Sequence, residues 1–301
     1  MEDPASLRAE YETLRERASE AVHRGKLHEA LGLFDEANEL ARRLGVTDLV
    51  DLAFCNRSAV SIRLQQGEDC APKLRQMLLR TTNPQVARHS AYNLALACDA
   101  QKNYNKELFY ARIAYRYSVE LAEVEHEASA LNQIGNALVA LNDFGGALEE
   151  YRRADRLLEG EQSGRKAIIL ANLGYCCLLT DQPVDGFRAL VRGLRMARRV
   201  GAPLAESLAR LCLAFAHLLH GRPWYALRHG SEALELAEAH GDEQTLKYAL
   251  LLLGEAYKQG GKISVARECF ELLQRTYYPG MAQVPEMLLG VDVCRVINLR
   301  A

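Results

Sequence analysis

The chain is 301 residues long, 49% hydrophobic and 25% charged, which excludes a disordered or collagen-like polypeptide and allows a buried core. Its 37 basic and 39 acidic residues leave a net charge of −2, which argues against a general nucleic-acid or membrane-surface binder. Ala, Leu, Glu and Arg dominate and β-branched runs are scarce, so the expected structure is helical throughout.

The opening stretch, MEDPASLRAEYETLRER, has neither the basic start nor the apolar run of a secretory signal. No segment approaches the roughly 18 uninterrupted apolar residues of a membrane-spanning helix, and no membrane role is expected. None of the eight cysteines forms a CxxC pair, and most sit inside apolar helical patterns as small hydrophobes. A reducing, cytoplasmic setting without a disulfide framework follows from that usage.

Taken in chain order, the pattern divides into units at 5–44, 47–82, 84–122, 124–159, 163–200, 203–240 and 243–277, then one helix at about 282–299. The first helix, 5–24, is heavily charged, as an end cap requires. Asn83-Pro84 reads as an N-cap followed by a proline in the first helical position, and Pro203 and Pro223 also fall in first turns. Gly25, Gly45, Gly160, Gly201, Gly221 and Gly241 read as helix stops. Residues 158–166, LEGEQSGRK, form the loosest linker and a candidate bend.

The units share one register. Small residues at Ala18, Ser58, Ala95, Gly135, Gly174, Ala214 and Gly254 are spaced 40, 37, 40, 39, 40 and 40. Twelve residues later come Ala30, Cys70, Glu107, Ala147, Gly186, Ala226 and Ala266, and four further on Phe34, Leu74, Ala111, Tyr151, Leu190, Gly230 and Phe270. Two antiparallel helices approach closely only where small residues meet, so each unit reads as a helix–turn–helix.

This pattern resembles the tetratricopeptide repeat (TPR), with a small residue in the first helix and Ala and an aromatic on the second. The last unit matches best, through Gly254, Tyr257, Ala266 and Phe270, and the resemblance spans residues 5–277. The period exceeds the standard length of about 34 residues. It is similar to the long-repeat branch of bacterial regulators, Rap-type peptide receptors and kinesin light chain. Glu107 stands where Ala is usual, and Cys70 with Pro72 departs in the second unit. The resemblance implies an all-α fold: a right-handed superhelical α-solenoid of about seven TPR units plus a C-terminal capping helix. The chain, 1–301, is then a single domain.

The resemblance also implies a concave groove lined by first helices. One register of those helices reads Asn56, Asn93, Gln133 and Asn172, with Asn132 and Asn136 flanking it in the fourth unit. Asn in a helix costs a few tenths of a kcal/mol relative to Ala, so such a column calls for a reason. A carboxamide offers donor and acceptor together, and a ladder of them can pair with the backbone of an extended peptide. The alternative is hydrogen bonding between helices of the array. Tyr92, His89, Asp99 and Arg63 would supply selectivity. In the fifth and sixth units the register turns apolar, with Ile168, Ala171, Tyr175, Leu178, Leu208, Leu211, Phe215, Leu218 and Leu219. Helix 203–220 is apolar almost all round and requires a cover: the final helix folding back, a second copy of the chain, or an amphipathic partner.

Arg188, Arg192, Arg195 and Arg199 share one helix face, read as a solvated surface, with an acidic partner as the alternative. His217 and His220 stand i,i+3 without an evident third metal ligand and read as packing residues. No phosphate loop, GxSxG or HExxH motif occurs. The expected function is a non-enzymatic, cofactor-free scaffold or adaptor that binds a protein or peptide in the groove. The alternatives are a Rap-like ligand-switched regulator and a homodimerising structural protein. The composition suggests a bacterial source.

Overall fold

The structure is a computed structural model that describes residues 3–67 and 69–299. Among the described residues there are sixteen helices and no strand. Seven pairs form the array: α1 (Pro4–His23) with α2 (Leu27–Leu44), α3 (Thr47–Arg63) with α4 (Cys70–Arg80), α5 (Pro84–Ala100) with α6 (Tyr104–Glu120), α7 (Val124–Ala140) with α8 (Phe144–Leu157), α9 (Gly164–Leu179) with α10 (Pro183–Val200), α11 (Pro203–Leu219) with α12 (Pro223–His240), and α13 (Glu243–Gln259) with α14 (Ile263–Tyr277). The chain divides into two compact units, one up to Gly160 and one from Glu161, a boundary inside the glycine-containing stretch 158–166.

In the first unit, Ala18 of α1 meets Ala30 and Phe34 of α2, and Val60 of α3 joins them in a buried cluster. A second cluster gathers Cys55, Ile62, Leu74, Met77 and Leu94 from α3, α4 and α5. The departure at Glu107 is absorbed by a neighbour. Its fully buried carboxylate accepts a hydrogen bond from Gln133 Nε2 of α7 at 2.5 Å.

In the second unit, α9 and α11 are buried on almost every side, Lys166–Leu178 and Ala205–Leu218 with few exceptions. A Cβ added to Gly174 would lie 2.6 Å from Leu190 Cγ, so glycine permits the α9–α10 approach.

The turn inside each pair places one residue in the left-handed region: Gly25, Gln65, Lys102, Asn142, Asp181, Gly221 and Gly261, each seven residues beyond the register residue. Only three of the seven are glycine, so the turn geometry is imposed by the packed helices and not by local preference alone. The other stops are as expected. Gly45, Gly201 and Gly241 cap α2, α10 and α12 with φ of 68°, 63° and 66°. Asn83 caps α5 by accepting from the N–H groups of Gln85 and Val86, with Pro84 in the first turn.

The segment expected as one helix over 282–299 is two short ones, α15 (Val284–Gly290) and α16 (Val293–Val296). Val291 is extended, with φ −120° and ψ 155°, and the Asp292 side chain caps α16 by accepting from Cys294 N–H at 3.1 Å. That break lets the segment turn back onto the first helices of its own unit.

Candidate functional site

The amide column lies on the first helices, as the repeat register dictates, but most of its members are already bonded inside the array. Asn93 on α5 is buried, and its Nδ2 donates to the Cys55 carbonyl of α3 at 2.6 Å. Gln133 is committed to Glu107, and Asn136 accepts from the Tyr151 hydroxyl of α8 at 2.8 Å. Asn172 is buried within α9. Asn56, Asn132 and Tyr92 are half-buried and Arg63 is exposed. The reading of the whole column as a ladder for a ligand backbone is therefore corrected at Asn93, Gln133 and Asn136. A buried amide that lost these partners would incur a desolvation cost of about 1–3 kcal/mol, so the column serves helix-to-helix registration there.

Elsewhere in the first unit, Arg88 is buried and forms an ion pair with Glu123 at 2.9 Å. Its guanidinium also donates to His89 Nε2 at 2.9 Å. Burial, then the Arg88 charge, pulls the His89 pKa down to about 3, so this ring is neutral near pH 7. Asp99 is half-buried toward the end of α5.

The apolar set of the second unit lies on α9 and α11. Tyr175 of α9 and Phe215 of α11 meet edge to face with ring centroids 5.2 Å apart. Leu178, Leu211 and Leu218 are buried, Ile168 and Leu208 are half-buried, and Leu219 is exposed.

Part of the cover comes from the chain itself. The segment after α15 returns across the first helices, and α16 packs against both α13 and α11. Lys258 Nζ on α13 donates to the carbonyl of Leu288 at 3.0 Å and to that of Val291. Glu255, also on α13, accepts from the Val293 N–H at 3.4 Å and pairs with Lys258 at 2.6 Å. At the far end, the Tyr175 hydroxyl accepts from the Leu299 N–H at 3.0 Å. Val293, Cys294 and Leu299 are buried in the process. Each of the four protein groups held here is a main-chain group, two of them in the short helices and two in the irregular backbone beside them, so these polar contacts do not depend on side-chain identity. Sequence reasoning found Tyr175 but missed Glu255 and Lys258, which read as an ordinary i,i+3 pair on a helix. The one available signal was their place on a first helix beside the apolar register.

At another edge of the second unit, His217 stacks on His229 with centroids 5.6 Å apart and on Tyr225 at 5.2 Å, and Phe187 closes over His217 and His220. The Nδ1 atoms of His217 and His229 are buried without a hydrogen-bond partner. Burial lowers the pKa of both rings, that of His229 to about 4, helped by His217, Arg210 and Arg228. The unfolded imidazoles titrate near 6.5. Unfolded chain therefore takes up protons that folded chain does not, and stability falls as pH drops from about 6.5 toward 4. The melting temperature is expected to decline over that range. In a His217→Phe/His229→Phe variant the decline should be shallower, and an unchanged slope would remove the pair as its source. Among the described residues no group of three His, Cys, Asp or Glu side chains is placed to hold a metal ion.

The arginine face of α10 is exposed at Arg188, Arg192, Arg195 and Arg199, with Arg188 paired to Asp185 at 2.6 Å and Arg199 donating to Gln162 at 3.3 Å. No helix among the described residues is long and apolar enough to cross a membrane.

No family model and no curated protein matches the chain. Solved structures do. A Rap protein complexed with competence and sporulation factor is similar with a TM-score of 0.72 at 12% identity, over 97% of this chain and 80% of that one. NprR in complex with its cognate peptide NprX gives 0.68 at 12%, over 97% and 84%. A tetratricopeptide repeat protein from Parabacteroides merdae gives 0.55 at 17%, over 95% and 99%. Aspartyl phosphate phosphatase F from Bacillus subtilis gives 0.59 at 14%, over 97% and 95%. At these identities the likeness carries the fold: the chain is built as a TPR-type α-solenoid of the kind found in Rap and NprR proteins.

Proposed function

We propose that this protein is a peptide-binding scaffold or Rap-like regulator, acting in a reducing, cytoplasmic setting through the first-helix surface of its second unit. The observation that carries the reading is the grip of Tyr175, Glu255 and Lys258 on four main-chain groups of the returning segment, from Leu288 in α15 to Leu299. That surface is chemically equipped for a peptide: a carboxylate for N–H groups, an ammonium for carbonyls, a hydroxyl, and the apolar ring of Phe215 packed against Tyr175. The peptide complex of NprR, a protein of the same fold, supports it. Recognition without chemistry is the economical reading, because burial raises the thiols of Cys98, Cys269, Cys294 and Cys55, the last to about 12, away from thiolate reactivity.

The test is to pan a random peptide library against the full chain. A consensus is expected, and its affinity should fall about tenfold or more in a Tyr175→Phe/Glu255→Gln variant that still melts cooperatively. Self-association is the second reading. It is favoured by exposed Val184, Trp224 and Ile263, which stand at the starts of the successive second helices α10, α12 and α14. Panning without a consensus, together with a concentration-dependent dimer in sedimentation, would move the conclusion there.

A further inference from the structure

The return segment has the features of a bound ligand. After one helical turn at α16 the backbone becomes extended at Ile297, with φ −95° and ψ 140°. Arg295 and Val296 face solvent, whereas Val293, Cys294 and Leu299 are buried. The main chain is held at both ends, by Glu255 at Val293 and Lys258 at Val291 from α13 and by Tyr175 at Leu299 from α9, while α16 lies against α11 between them. None of these contacts depends on which side chains the segment carries, apart from the three buried ones.

We infer that residues 291–299 are a displaceable resident of the peptide site, and that an incoming ligand takes their place. The inference rests on the proposed peptide-binding function and adds the ligand's form and the competition it meets. The ligand is a short peptide with two adjacent small apolar residues, a helical turn, and an aliphatic residue five positions after the second, matching Val293, Cys294 and Leu299. Occupancy by the tethered segment raises the apparent dissociation constant by the reciprocal of the fraction of time the site is open. Binding and release of the segment are thereby one equilibrium, so a ligand exposes 291–299 to other molecules as it docks.

The test uses the full chain and a fluorescein-labelled synthetic peptide, LLGVDVCRVINLRA, under reducing conditions. A Val293→Asp/Leu299→Asp variant places acids in apolar seats, one of them beside Glu255, and should release the segment. Trypsin cleavage after Arg295 reports release. Wild type is expected to resist cleavage and bind the probe at least about tenfold more weakly than the variant, which is cut readily. Tyr175→Phe, which removes only the hydroxyl that receives the Leu299 N–H, should raise cleavage several-fold with little change in melting temperature. It keeps the test open if the double variant does not fold. A segment cut equally fast in wild type and variants, or a variant cut no faster than wild type, overturns the seating. Equal probe binding by both chains overturns the competition but leaves the peptide site standing. A released variant that binds no probe overturns the peptide site itself.

Discussion

Replacing Lys258 by Met is expected to lower stability by about 3–5 kcal/mol, because it strands a buried carboxylate. Glu255 is 2% exposed and Lys258 15%, so neither charge has water to fall back on. A buried pair of this kind gains little over a well-packed apolar pair, yet breaking it on one side is costly. Two further losses follow from the same change: the Leu288 and Val291 carbonyls lose their donor. The damage should be local, since each repeat of a solenoid leans mainly on its neighbours. Hydrogen exchange should therefore accelerate first in 284–299 and α13, with α9 and α10 protected until later. Adding Glu255→Gln to Lys258→Met removes the stranded charge and should recover about half of the loss, read from urea unfolding at pH 7. If the single change is silent, the pair is solvated and does not anchor the segment.

The repeat register was legible because it depends on nearest contacts between helices adjacent in sequence. Ala18 with Ala30, and Gly254 with Phe270, announce themselves through spacing alone. The left-handed turn residues were legible only where glycine marks them. Gln65, Lys102, Asn142 and Asp181 adopt the same geometry because the helices on either side leave the chain no other path. The amide column was visible, but its use was not. A column says which residues share a face, whereas the acceptor for Asn93 is a carbonyl 38 residues away and the acceptor for Gln133 is the very Glu107 that looked like a defect. The cover over Tyr175 was foreseeable as a need, since 203–220 is apolar almost all round. That residues 291–299 supply part of the cover depends on the break at Val291 and on Lys258 and Glu255, none of which carries a distinctive sequence pattern. The site is thus assembled by a long-range return of the chain, which periodicity does not encode.

Gly254→Ala should destabilise the protein by about 1–2 kcal/mol, although alanine is the better helix former. A Cβ on Gly254 would stand 2.7 Å from Cδ1 and 2.8 Å from Cζ of Phe270, a ring with no exposed surface and therefore no free path away. The helix gains about 1 kcal/mol from the substitution, while overpacking costs about 1–3 kcal/mol, and at these distances the clash wins. The decisive control is Gly32→Ala on α2, where the added Cβ meets nothing within 4 Å. There only the propensity gain operates, and stability should rise by about 0.5–1 kcal/mol. Opposite signs for the same chemical change would isolate the close approach of α13 and α14 as the cause. Phe270→Leu alone leaves a void and also destabilises. Combined with Gly254→Ala it should cost less than the sum of the two by more than about 0.5 kcal/mol, since the methyl then occupies space the ring has left. Strict additivity in that cycle, measured by urea unfolding, would mean that the two residues do not share the volume on which the register of small residues and aromatics depends.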